Sequence, residues 1–71
     1  MSRQAKIKEL SVELQLPETT VKEEFVFLDV LGESGVVNMF GAVPYLQKNN
    51  DTLDKIQATK ILKGWMDSYG K

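Results

Sequence analysis

Gly35-Val-Val-Asn-Met-Phe-Gly-Ala-Val-Pro-Tyr-Leu46 gathers two of the chain's five glycines, one of its two prolines and the large side chains Met39, Phe40 and Tyr45. Both flanks read as amphipathic helix, so the way this stretch breaks and restarts the helical path decides the fold. A helix running up to Ser34 puts Gly35 just past its end, where a left-handed backbone is needed and only glycine adopts it without steric cost. Leu31 and Val36 then occupy the two positions that touch across such a cap. Asn38 is a strong helix-starting residue whose side chain can accept the free amides of Met39 to Gly41. Pro44 lacks an amide and fits poorly past a first turn, which predicts a short, tight or kinked helix over 39–48. Gly41 and Ala42, with little or no side chain, are expected to let another helix approach closely. Met39, Phe40, Val43 and Leu46 at helical spacing read as core. Gly32 and Gly35 with Gly41 match no nucleotide-binding fingerprint, and no strand precedes them.

Upstream, Ile7, Leu10 and Leu14 recur at three- and four-residue steps among lysines and glutamates, the pattern of a helix over 3–15 with one buried stripe. Val12 lies off that stripe and reads as a surface valine. Leu16-Pro17 ends the helix, because the residue before a proline is pushed out of helical geometry. Thr20-Val-Lys-Glu23 fits a capping box and predicts a second helix over 20–34. Val21, Phe25 and Leu28 form its inner side, and Phe27, Val30 and Leu31 widen the apolar arc, so this helix is expected at the centre of a bundle. Glu23 and Glu24 read as first-turn acids that favour the helix dipole. Asp29 and Glu33 read as a solvated surface pair, too few oxygens for calcium.

Downstream, Lys48 to Thr52 is polar and turn-like. Asp54 and Gln57 repeat the capping pattern, with Leu53 placed to pack on Ala58, which predicts a last helix over 55–69. Ala58, Ile61, Leu62, Trp65 and Tyr69 share one arc of it, with Met66 at the edge. Trp65, the single tryptophan, reads as a core anchor because its neighbours on the arc are aliphatic. The expected fold is therefore all-α: one domain, residues 1–71, built as a compact bundle of about four short helices. Its structural motif is Gly35, Asn38, Met39, Phe40, Gly41, Pro44 and Trp65.

Composition narrows the chemistry. At 71 residues the core has little surplus, so self-association or tight helix packing is expected to help. There is no cysteine and no histidine, which removes disulfides, thiolate metal sites and the usual neutral-pH base. Nine basic against ten acidic side chains give a net charge of -1, so the whole chain lacks the field that draws proteins to nucleic acid or anionic lipid. No apolar run approaches membrane-spanning length and no signal-peptide stretch opens the chain, so a cytoplasmic protein without membrane contact is expected. No cofactor or metal set and no catalytic residues are visible.

Two segments bear comparison with helix-turn-helix DNA readers. Ile7 to Leu28 has the order helix, short turn, helix, but the usual turn glycine falls on Gln15 and a normally buried position on Glu24. Glu23 and Glu24 would also repel phosphate. Tyr45 to Met66 offers Lys48, Lys55, Thr59, Lys60 and Lys63 as candidate nucleic-acid contacts. Residues 48–71 hold five lysines against three aspartates, a balance of +2 that a solvated helix face explains equally well.

The run Leu31-Gly-Glu-Ser-Gly-Val-Val-Asn-Met-Phe-Gly-Ala-Val-Pro-Tyr-Leu46, with Ala58, Ile61-Leu62 and Trp65-Met66 after it, resembles a recurring pattern in small proteins encoded by tailed bacteriophages. The similarity spans about the last two thirds of the chain. It departs at Gly32, where such proteins often carry a basic residue. The resemblance implies a helical accessory protein of the host bacterial cytoplasm and supplies no catalytic residues. The expectation is a non-enzymatic protein that acts through a protein partner, with a homodimer as one form of association. A small DNA-binding regulator using the last two helices is the alternative.

Overall fold

A computed structural model describes residues 3–35 and 41–68. Four helices follow one another: α1 (Arg3–Leu14), α2 (Glu18–Ser34), α3 (Val43–Asn49) and α4 (Lys55–Ser68). Among the described residues there is no strand, so the all-α bundle stands. Asn38, Met39 and Phe40 of the expected motif, Val36 of the expected contact across the Gly35 cap, and Tyr69 lie outside the described residues.

The turns show why the chain divides where it does. α1 stops at Gln15, whose φ of 57° is left-handed. Its amide donates to the Val12 carbonyl and that of Leu16 to the Ser11 carbonyl, the paired bonds that close a helix end. α2 starts at Glu18 rather than after Thr20: Pro17 (φ -58°, ψ 146°) stands at the cap position with no side-chain cap bond. The Thr20 amide donates to the Pro17 carbonyl, so the capping box expected there does not form. Proline's preset φ starts the helix two residues earlier than the threonine signal, and Glu18 supplies the acid in its first turn. Gly35 ends α2 as expected, at φ 65° and ψ 15°, its amide donating to the Gly32 carbonyl.

α3 is shorter than the expected 39–48 and Pro44 does not interrupt it, because Val43 is its first residue and Pro44 sits in the first turn. The missing amide there would have had no intrahelical partner. Ala42, the residue before α3, offers no side-chain cap bond. α4 opens with the expected reciprocal pair: Gln57 Oε1 accepts from the Asp54 amide at 3.0 Å, and Asp54 Oδ1 accepts from the Gln57 amide at 2.7 Å.

The core is formed by Ile7 and Leu10 of α1, Val21, Phe25 and Leu28 of α2, Ala42 and Leu46 at α3, and Leu53, Ala58, Ile61, Leu62 and Trp65 around α4. α4, not α2, is the central helix: it packs against each of the other three. The reason is partly Gly64, which is buried on α4; a Cβ there would lie 2.5 Å from Leu10 Cδ1, so the missing side chain lets α1 press onto α4. α1 is therefore part of the bundle. Gly41 plays no such part, since a Cβ on it would meet nothing within 4 Å; only Ala42 of the pair is buried. Val30, expected to widen the inner arc of α2, is 62 % exposed.

Candidate functional site

α3 is too short to be stable alone, so it is held from beneath. Ala42 and Leu46 are fully buried on its inner side. At its C-terminal end Asn49 Nδ2 donates to Glu24 Oε1 at 2.9 Å, and Asn50 Nδ2 reaches Glu24 Oε2 at 3.5 Å. Asn50 is itself oriented by accepting from the Thr52 amide and hydroxyl. Glu24 is only 2 % exposed and is not in the first turn, which corrects its reading as a first-turn acid of the helix dipole. Because α2 begins at Glu18, Glu24 is past the first turn and falls on the buried stripe with Val21 and Leu28.

The outer side of α3 carries the first candidate surface. Tyr45 is 40 % exposed. It and Lys48, one helical turn apart, form a ridge shared by two adjoining depressions. Pro44 completes one and Phe27 with Asn49 the other. An aromatic ring and a proline beside an amide and an ammonium make a surface suited to an apolar partner group with a polar edge.

The second candidate surface is the outward face of α4, where Lys55, Thr59, Lys60 and Lys63 line one groove together with Ile56. Sequence spacing brought the lysines together correctly, but Lys48 lies apart from them on α3. Lys60 is bound to Glu13 Oε2, which offsets its charge. Ile56, missed in the sequence because it lies among polar residues, is 67 % exposed in this groove. The Thr59 hydroxyl donates to the Lys55 carbonyl.

A third polar group is structural. Asp29, expected on a solvated face, accepts Arg3 Nη1 at 2.7 Å and Nη2 at 2.5 Å, and Oδ1 also accepts Trp65 Nε1 at 2.9 Å. Arg3 also lies over the Phe25 ring, 5.6 Å from its centroid. One carboxylate thus ties α1 to α2 and α4, and supplies the acceptor that buried Trp65, 3 % exposed, needs for its indole N–H. The hydrogen bonds from Arg3 hold the Asp29 carboxyl below its ordinary value of 3.8; burial acts against them, and Trp65 adds to them.

The two departures from helix-turn-helix pattern at Gln15 and Glu24 are both accommodated. Gln15 takes the left-handed conformation usually given to glycine, and Glu24 is buried with amide donors. Yet the outer face of α2 presents Glu18, Thr19, Lys22, Glu23 and Val26, two carboxylates against one ammonium, facing away from the core. Among the described residues no group of three or more acidic side chains could hold a metal ion, and no helix is long and apolar enough to cross a membrane. No protein family, curated protein or solved structure matches the chain significantly.

Proposed function

We propose that this chain is a small non-enzymatic accessory protein, of the phage type suggested by its Glu33-Ser-Gly and Asn38-Met-Phe-Gly-Ala run, that works in the bacterial cytoplasm by binding another protein. The observation that carries the reading is the Tyr45 and Lys48 ridge. It combines an exposed aromatic ring, a neighbouring proline and a cation on a short helix that buried Leu46 and the Asn49 to Glu24 bond hold in place. Rigid aromatic anchors of this kind lose little conformational entropy on binding and dominate protein contacts. Pro44 and Tyr45 at the ridge belong to the stretch that carries the resemblance.

The test is affinity capture from the host cytoplasm with the wild-type chain and a Tyr45→Ala/Lys48→Ala variant. A specific partner should be lost at least about tenfold with the variant, as expected for a hot-spot residue, while far-ultraviolet circular dichroism stays unchanged. Capture of the same proteins by both chains would overturn the assignment.

One observation favours DNA as a second reading: Lys55, Thr59, Lys60 and Lys63 share one groove. Against it stand Ile56 within the groove, Glu13 on Lys60 and the carboxylates of Glu18 and Glu23 on the outer face of α2. Lys60→Glu/Lys63→Glu should abolish duplex binding at low salt if this reading holds.

A further inference from the structure

Among the described residues two outward faces remain without a partner in the bundle, and each has what the other lacks. On α2, Glu23, Val26, Val30 and Glu33 are exposed and follow steps of three, four and three residues, so they share one side of the helix. Lys22 lies at the edge of that side. On α4, Ile56 is exposed among Lys55, Lys60 and Lys63, with Asp67 at the far end, 4.0 Å from Lys6. Among the described residues Glu23, Glu33, Lys55 and Lys63 form no ion pair.

We propose that the acidic aliphatic face of α2 docks on the basic groove of α4 of a second copy of the chain. Charge complementarity selects this occupant: two carboxylates flank two valines on one surface, and lysines flank an isoleucine on the other. The lengths agree, since Glu23 to Glu33 spans about 15 Å and Lys55 to Lys63 about 12 Å at 1.5 Å per residue. A net charge of -1 sets no overall repulsion between copies. The contact joins two different surfaces, so it closes a two-fold pair when made reciprocally and otherwise runs head-to-tail. It uses neither Tyr45 nor Lys48, so it stands apart from the partner site proposed above.

Sedimentation equilibrium of the full chain tests it. In low salt, reversible association is expected at concentrations on the order of 0.1–1 mM, about 4–5 kcal/mol of association. Raising salt to about 0.5 M should weaken it roughly tenfold or more by screening. Lys55→Glu/Lys63→Glu and Glu23→Lys/Glu33→Lys should each stay monomeric with unchanged circular dichroism, while leaving the Lys60 to Glu13 pair intact. An equimolar mixture of the two should associate again, because each now carries the sign the other needs. Ile56→Ser should weaken association without altering charge, and Tyr45→Ala/Lys48→Ala should leave it unchanged. A wild-type chain monomeric at every concentration, association that survives either reversal, or a mixture that stays monomeric would overturn the proposal. So would a monomer whose Lys55 and Lys63 instead bind a DNA duplex or polyglutamate.

Discussion

Replacing Gln15 by glycine should stabilise the protein. Gln15 is the one non-glycine residue with positive φ among those described, at 57°, and it closes α1 with the Gln15 and Leu16 amides bonded back to Val12 and Ser11. A left-handed conformation costs an L-residue roughly 1–2 kcal/mol, and glycine escapes that cost. Glycine in turn loses about 0.5–1 kcal/mol more chain entropy on folding. The side chain of Gln15 is exposed and forms no hydrogen bond among the described residues, so its removal subtracts nothing else. The net gain is about 0.5–1 kcal/mol, which for a domain of this size raises Tm by roughly 2–8 °C. Gln15→Val, β-branched, should instead cost about 1 kcal/mol or more. Urea unfolding followed by circular dichroism and Trp65 fluorescence measures both. A glycine variant that unfolds at lower urea than the wild type, or a valine variant equal to it, would show that the turn is not held in the left-handed region.

Glu24→Ala should lower stability by about 2 kcal/mol, because it removes a carboxylate that accepts from two side-chain amides and leaves a gap under α3. Glu24→Gln should cost about half as much, since its oxygen still serves Asn49 while its amide faces Asn50; urea midpoints of the three chains give the ranking. Stability should also depend on pH through Asp29. Its folded value lies below its ordinary value of 3.8, so its contribution is fully present above about pH 5 and fades as pH falls through the folded value. Asp29→Asn should therefore be less stable than the wild type at neutral pH by about 1 kcal/mol, discounted for partial exposure. The difference should shrink as pH falls through that lowered folded value, as acid titration of thermal unfolding would record.

The helical class and most of the core were legible because they rest on local chemistry. The 3.6-residue recurrence of Ile7, Leu10, Val21, Phe25, Leu28, Ala58, Ile61, Leu62 and Trp65 predicts which residues turn inward, and all of them are buried. Gly35 and the Asp54 to Gln57 exchange act within a few residues, so their roles also follow from order along the chain. The start of α2 was misread because Thr20 and Pro17 both carry start signals, and proline acts without needing any side-chain bond. Of the two candidate surfaces only that of α4 was half visible: spacing groups its lysines, but not Ile56 beside them or Glu13 across from Lys60.

Sequence alone determined where the chain coils and which side of each coil avoids water, since both depend on neighbours within about one helical turn. Tertiary structure alone decided that α4 is central, that Gly64 admits Leu10, and that the carboxylates of Glu24 and Asp29 are bound by Asn49 and Arg3. Those outcomes join residues 25 or more positions apart in the two carboxylate pairs and far apart in the helix packing. A carboxylate at such a position is a surface charge or a buried lock according to which donors the folded chain brings to it.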